Sequence, residues 1–214
     1  MRYGRTLLLA FAFLSGCVGP PNNAPRSHSG PMRPPSMDLK QCLGGLTSLS
    51  ARYTLVPAQN YGGGCSTISS IQLTSVGIPV SNIKAIQCPL AKALTLWAQG
   101  PMQAAARQWF GSSVVKLESM GAYACRNVIG RPQAAGQRSE HATANAVDIG
   151  GFVLADGRRV TVASGWHGSD EEQGFLRDIR AAGCKRFQTV LSPDYNGAHW
   201  DHLHFDMGRG PFCR

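Results

Sequence analysis

Apolar positions along the chain recur with two periods, and each period predicts its own kind of element. In "PLAKALTLWAQG" Leu90, Ala93, Leu94 and Trp97 fall on one face of a helix, and "PMQAAARQWFG" continues in the same style. Each stretch begins at a proline (Pro89, Pro101) and ends at a glycine (Gly100, Gly111), the expected asymmetry of helix ends, so two helices are predicted. "LKQCLGGLTSL" predicts a short helix near 39–49. "SDEEQGFLRDIRAAG" predicts another, capped by Ser169, with acidic residues 170–172 in its first turn and Gly183 after its end. Alternation predicts strands at 70–76, 112–119, 186–192 and 202–207. "NAVDIGGFVLADGRRVTVA" predicts a hairpin turning on the pair Asp156-Gly157. Strands dominate the second half, with helices between and before them, which predicts an α+β fold: a small antiparallel sheet flanked by helices.

The first 38 residues do not share this patterning. Arg2 and Arg5 precede a short apolar run at 6–14, too short to cross a bilayer, and Leu14-Ser15-Gly16-Cys17 closes it. This is a secretory signal, residues 1–17, and its ending resembles the lipobox of bacterial lipoproteins, which implies a lipid on Cys17. Val18, not Asp, follows, which in a Gram-negative host implies an outer-membrane lipoprotein facing the periplasm. Residues 18–38 are rich in Pro, Gly, Asn and Ser and have no apolar period, so they are expected to be a flexible tether, with His28 solvated in it. Residues 39–214 suffice for one domain with a full core.

Export changes the meaning of the cysteines. Of seven, removal of Cys17 to the anchor leaves Cys42, Cys65, Cys88, Cys125, Cys184 and Cys213, an even set that predicts three disulfides. The expected pairing is Cys65–Cys88, Cys184–Cys213 and Cys42–Cys125. No CxxC pair is present, which argues against a thiolate zinc site. The formal charge of +9 becomes 19 − 12 = +7 without the two signal arginines. A basic exported domain suits an anionic cell-wall polymer or a lipid headgroup. The positive charge gathers in no single run, and export argues against a nucleic-acid partner.

The chemistry concentrates in "HWDHLHFD" at 199–206, which holds three of the six histidines. Strand alternation sends Leu203, Phe205 and Met207 to one face and His202, His204 and Asp206 to the other. In "SEHATANAVDIGGF" (139–152), Val147 and Ile149 enter the core while Asp148 faces away, and His141 precedes Asp148 by seven positions across small residues. One imidazole and one carboxylate from here, with one imidazole from the octet, supply the three N/O ligands of a catalytic zinc with an open position.

These motifs resemble those of zinc peptidases of the lysostaphin, D-Ala-D-Ala peptidase and sonic hedgehog type. Ser139, His141, Ala146 and Asp148 match the first motif, with Ala144 in place of its usual glycine, and His202-Leu203-His204 matches the H-x-H of the second. Asp201 stands where the dipeptidase and carboxypeptidase branches carry a longer glutamate. "YACRN" (123–127), "DGRRVTV", "CKRFQTVLSPDYN" and "HWDHLHFDMG" resemble, more specifically, the bacterial extensin-like C-terminal domain family over about residues 40–214. The resemblance implies a hedgehog- or DD-peptidase-like sheet carrying Zn²⁺ on His141, Asp148 and His204. Asp201 or His202 is then the general base, Asp206 the orienter of an imidazole, and Arg126 a substrate-binding residue. His199, Trp200 and His167 are expected at most at the rim of the cleft, and Glu140 and Arg138 in solvent.

The resulting expectation is an envelope zinc peptidase acting on peptidoglycan. Its competitors are a zinc-containing wall-binding module of the same fold without turnover, and a metal-free structural lipoprotein. A serine nucleophile is disfavoured, because "VASGW" around Ser164 lacks the G-x-S-x-G pattern.

Overall fold

A computed structural model describes residues 39–214, together with the isolated positions Met1 and Gly4. Apart from those two positions, the expected signal at 1–17 with its Cys17 and the expected tether at 18–38 lie outside the described residues.

The chain begins with α1 (Leu39–Ser48), then β1 (Arg52–Leu55), β2 (Asn60–Gly62), β3 (Cys65–Ser66), β4 (Ser70–Ser75), β5 (Val80–Ser81) and β6 (Ile86–Gln87). Strands β1, β4 and β6 form a three-stranded antiparallel sheet, and β2 pairs with β3 as a separate hairpin. Next come α2 (Cys88–Trp97) and α3 (Gln103–Phe110). The two expected helices are in fact one rod, joined by a π-helical turn at Ala98–Met102 that contains Pro101. Proline has no N–H to donate and its ring crowds the preceding turn, so the helix widens there and goes on. Gly111, at φ +63°, ends it as expected.

The main sheet is built from β7 (Val114–Gly121), β8 (Ala146–Leu154), β9 (Arg159–Thr161), β10 (Thr189–Leu191), β11 (Leu203–Asp206) and β12 (Phe212–Cys213), together with β5. Its order is β12-β10-β11-β8-β7-β5, with β9 paired to β8 off this path. The expectation of a small antiparallel sheet is therefore corrected. The sheet has seven strands and is mixed, because β5 on β7 and β12 on β10 are parallel edge pairs around an antiparallel centre. Both edge strands are two residues long, too short for alternation to register in the sequence. The hairpin between β8 and β9 turns on three residues, 155–157, not two: Leu154 N donates to the Arg158 carbonyl at 2.8 Å, and Gly157 takes φ +89°.

Short α4 (Val162–Gly165) leads to α5 (Asp170–Cys184), whose N-terminus carries a full capping box between Ser169 and Glu172. Gly183 does not follow α5 but lies inside it. A Cβ there would stand 2.9 Å from the Phe205 ring, so this glycine is a packing notch, not a stop. The α2–α3 rod and α5 cover one face of the sheet. Trp97 meets Phe205 edge-on at 5.0 Å, Phe187 stacks on Phe205 at 4.5 Å, and the indole N–H of Trp97 donates to the Ile179 carbonyl at 2.9 Å. Leu90, Ala93, Leu94 and Trp97 are all buried, as their spacing predicted.

Three disulfides fasten the fold, and two of the expected pairings are corrected. Cys42 bonds Cys88, tying α1 to the start of α2, and Cys65 bonds Cys125, tying β3 to the segment after β7; Cys184–Cys213 forms as expected. The pairing follows from which elements pack side by side, information that spacing does not carry.

Candidate metal centre

The face of the main sheet opposite the helices carries the chemistry. Strand β11 alternates as predicted, but both of its faces are buried. Leu203 and Phe205 enter the aromatic core, while His204 and Asp206 lie beneath the segment at 122–141. Strands β8 and β11 pair in a register that sets Asp148 directly beside His204. His141 arrives from the other side on a single 3₁₀ turn, Glu140–Thr143, capped by the Ser139 hydroxyl and ended by Ala144 at φ +56°. A glycine would take that backbone conformation without strain, and this is the position where the resemblance notes alanine for glycine.

Before this turn the chain forms a narrow strap. Ser139 N donates to the Arg126 carbonyl at 3.2 Å, Asn127 bridges Arg138, and Val128 N donates to the Gln137 carbonyl at 2.9 Å. The strap's base is anchored by the Cys65–Cys125 disulfide and by Arg138 Nε donating to the Gly63 carbonyl. Its tip is held by Asn196 Nδ2, which donates to the Gly130 carbonyl at 3.1 Å.

His141, Asp148 and His204 bring ligand atoms within 4.8 Å of one another. His141 Nε2 stands 3.2 Å from His204 Nδ1 and 3.1 Å from Asp148 Oδ2, and His204 Nδ1 is 2.9 Å from Asp148 Oδ1. The remaining ring nitrogens fix the tautomers. His141 Nδ1 faces the Ala122 carbonyl at 3.1 Å, and His204 Nε2 faces Asp206 Oδ2 at 3.0 Å. Both partners only accept, so both nitrogens carry hydrogen. Neutral His141 and His204 then turn lone pairs toward each other and toward a carboxylate. Such a set of converging acceptors is stable only around a positive charge, and these donors fit a divalent cation of the zinc type. Without metal, a proton serves instead. Burial lowers the pKa of His204, but hydrogen bonds to Asp148 and Asp206 outweigh it and raise it to about 9. Burial likewise opposes ionisation of Asp148, and the two histidines overcome that and hold its carboxyl well below the usual range.

The sequence profile described as extensin-like protein C-terminus matches residues 40–214. The chain belongs to the extensin-like C-terminal family. No curated protein and no solved structure matches it.

Around the candidate metal triad of this extensin-like domain, the structure gathers most of the residues marked in the sequence. Asp201 and His202, expected as rival bases, form one couple: Asp201 Oδ1 accepts from His202 Nδ1 at 2.8 Å, which leaves His202 Nε2 as a lone pair 3.5 Å from Asp148 Oδ1. Asp206 Oδ2 accepts from His204 Nε2, on the far side of the ring from Asp148. Arg126 lines a cleft of about 500 Å³ together with His204 and Asp206. His199 corrects its assignment to the rim. It is buried, lines the same cleft, and has its ring 5.1 Å from that of His202 and 5.9 Å from that of His204. Its Nδ1 donates to Asn196 Oδ1 at 2.7 Å, so Nε2 is a free acceptor, and burial followed by the neighbouring His204 and His202 lowers its pKa to about 4. The signal was present in the sequence, since His199 belongs to the octet. A turn of 3₁₀ helix at Gly197–His199, which strand alternation cannot foresee, folds it back. Trp200 is exposed, and His167 lies on the exposed turn between α4 and α5 and does not line the cleft. Glu140 and Arg138 both line the cleft; Arg138 is exposed, as expected, while Glu140 is half-buried.

Proposed function

We propose that this extensin-like protein is an exported, lipid-anchored zinc peptidase that hydrolyses amide bonds in peptidoglycan. The observation that carries the reading is the convergence of lone pairs from His141 and His204 on Asp148, with a third basic nitrogen, His202 Nε2, beside them. When bound, zinc supplies a Lewis acid for the scissile carbonyl and a water activated near neutral pH. His202 Nε2 takes the proton of the attacking water, and Asp201 Oδ1 holds Nδ1–H and stabilises the imidazolium that results. His202 then returns the proton to the leaving amine. His199 stays neutral at neutral pH, and its Nε2 accepts a hydrogen bond from the water or from the substrate amide. Arg126 meets substrate charge from the strap side of the cleft.

Three disulfides support export to an oxidising compartment. The sequence features at 1–17 and 18–38 support a lipid on Cys17 and a tether that lets the domain sweep nearby wall. The motif resemblance to peptidases of the lysostaphin and D-Ala-D-Ala type supports the reaction class.

The test is to load the purified chain with zinc, incubate it with sacculi and analyse the muropeptides by mass spectrometry, with His204→Ala in parallel. New amine and carboxyl termini from the wild type alone are expected. Unchanged muropeptides with zinc bound and tight adsorption to sacculi would instead support a non-catalytic wall-binding module. No zinc bound at micromolar levels would sink the metal assignment.

A further inference from the structure

The cleft carries more positive charge than the peptidase mechanism uses. Arg126, Arg131, Arg138 and Arg209 line it. Only two lining residues are acidic, Glu140 and Asp206, and both are engaged elsewhere. Asp206 accepts from Gly208 N at 2.8 Å through Oδ1 and from His204 through Oδ2, while Glu140 Oε2 accepts from Asn145 Nδ2 at 2.7 Å. Among the described residues, none of the four arginines forms an ion pair with a carboxylate.

Two of these arginines follow glycines that are closely packed against other elements. Arg131 follows Gly130 at the strap tip. Gly130 takes φ +74°, and a Cβ on it would lie 2.9 Å from Asn196 Nδ2 and 3.0 Å from Ala198 Cβ, so only glycine lets the tip press against the opposite wall. Arg209 follows Gly208, where a Cβ would overlap the Glu140 side chain, and its carbonyl is held by Thr189 Oγ1 at 3.1 Å. Both residues thus line one cleft, on backbone that is pinned. Guanidinium presents a planar fork that suits carboxylate, and a concave site with uncompensated charge of one sign focuses its field on an anion.

We propose that Arg131 and Arg209 form an anion subsite that recognises a free carboxylate on the peptide substrate, separate from the charge met by Arg126. The cleft then selects acidic peptides with at least two free carboxylates, the chemistry of a peptidoglycan stem, held so that the scissile amide lies at His204. This inference rests on the peptidase reading for the identity of the ligand but not for the existence of the subsite. Apolar neighbours Ile129, Tyr195 and Phe212 line the same cleft and favour a peptide over a polyphosphate.

The experiment measures binding, not turnover. Isothermal titration of the full chain uses a stem peptide isolated from peptidoglycan and the same peptide with its carboxyls converted to carboxamides, against wild type and the double variant Arg131→Gln/Arg209→Gln. Amidation is expected to weaken wild-type binding, and the penalty is expected to be about ten-fold smaller in the variant, the size of one charge-assisted hydrogen bond. Circular dichroism and zinc content show whether the variant is folded, and Arg131→Lys/Arg209→Lys, which keeps charge without the fork, should fall between the two. Equal amidation penalties in wild type and variant, no binding of either peptide, or tighter binding of inorganic polyphosphate than of peptide would each overturn the subsite. Carboxylate-dependent binding without bond cleavage would leave the subsite standing and remove the peptidase. Cleavage with equal penalties would do the reverse.

Discussion

Replacing Asp206 by Asn tests the logic of the metal centre with one atom's change. Asp206 is buried and accepts from two N–H groups, Gly208 N through Oδ1 and His204 Nε2 through Oδ2. Asparagine keeps the shape but has one acceptor oxygen, so it satisfies only one of the two donors. If the oxygen stays with Gly208, the amide N–H faces His204 Nε2–H. The ring then avoids the clash by moving its hydrogen to Nδ1, the atom that points at Asp148 and His141. That hydrogen occupies the position a ligand lone pair needs. If the oxygen turns to His204, the Gly208 N–H is left unpaired in a part-buried turn. A buried unpaired donor costs about 1–3 kcal/mol, and loss of a partner behind a ligating histidine typically weakens metal about 10–100-fold, about 1.4–2.7 kcal/mol, so the two estimates agree. Zinc affinity of Asp206→Asn should therefore fall about 10–100-fold, with Asp206→Ala at least as weak. Competition with a chromophoric chelator at fixed pH measures this, and thermal unfolding of the metal-free protein shows whether the fold persists. Zinc binding within about two-fold of wild type, in a folded variant, would refute the tautomer argument and with it the assignment of His204 Nδ1 as a ligand atom.

Other expectations follow from the same geometry. In the metal-free protein His204 has its pKa raised from 6.5 to about 9, so its stabilisation is full below 6.5 and lost as pH rises through about 9. Asp148, with its pKa lowered, contributes above its ordinary value near 3.8 and loses that contribution as pH falls. The metal-free melting temperature should thus decline between pH 6.5 and 9, and saturating zinc should remove the decline. An unchanged slope with zinc would contradict the site. Because zinc displaces the His204 proton, its affinity should rise about ten-fold per pH unit toward 9, and titration in buffers of different ionisation enthalpy should show one proton released. Cys65→Ser/Cys125→Ser opens a 60-residue span, which chain entropy values at about 4 kcal/mol, and it also frees the strap that leads to His141. Both the melting temperature and zinc affinity should drop, and a drop in melting temperature alone would mean that the strap holds its place without the disulfide. His199→Gln should bind zinc as wild type does yet hydrolyse muropeptides more slowly, as inductively coupled plasma analysis and mass spectrometry can show. Loss of zinc in that variant would mean that His199 supports the metal.

The sequence by itself determined the local elements and the candidate ligand set. The spacing of Leu90, Ala93, Leu94 and Trp97 specifies a buried helical face, Ser169 a helix cap, and the alternation of 202–207 a strand with one face of imidazole and carboxylate. Helix and strand periods are local properties of the chain, so a window of residues suffices to read them. His141, Asp148 and His204 were legible for the same reason, since each sits in a short motif whose chemistry is unusual for a surface. Tertiary structure alone decided what lies beside what. It joined α2 to α3 through Pro101, turned Gly183 from an expected stop into a notch for Phe205, and paired Cys42 with Cys88 and Cys65 with Cys125. It also folded His199 inward and brought Arg131 and Arg209 to one cleft. These outcomes depend on contacts between residues far apart in the chain, chosen by the packing of whole elements and the closure of loops. No local pattern records that choice.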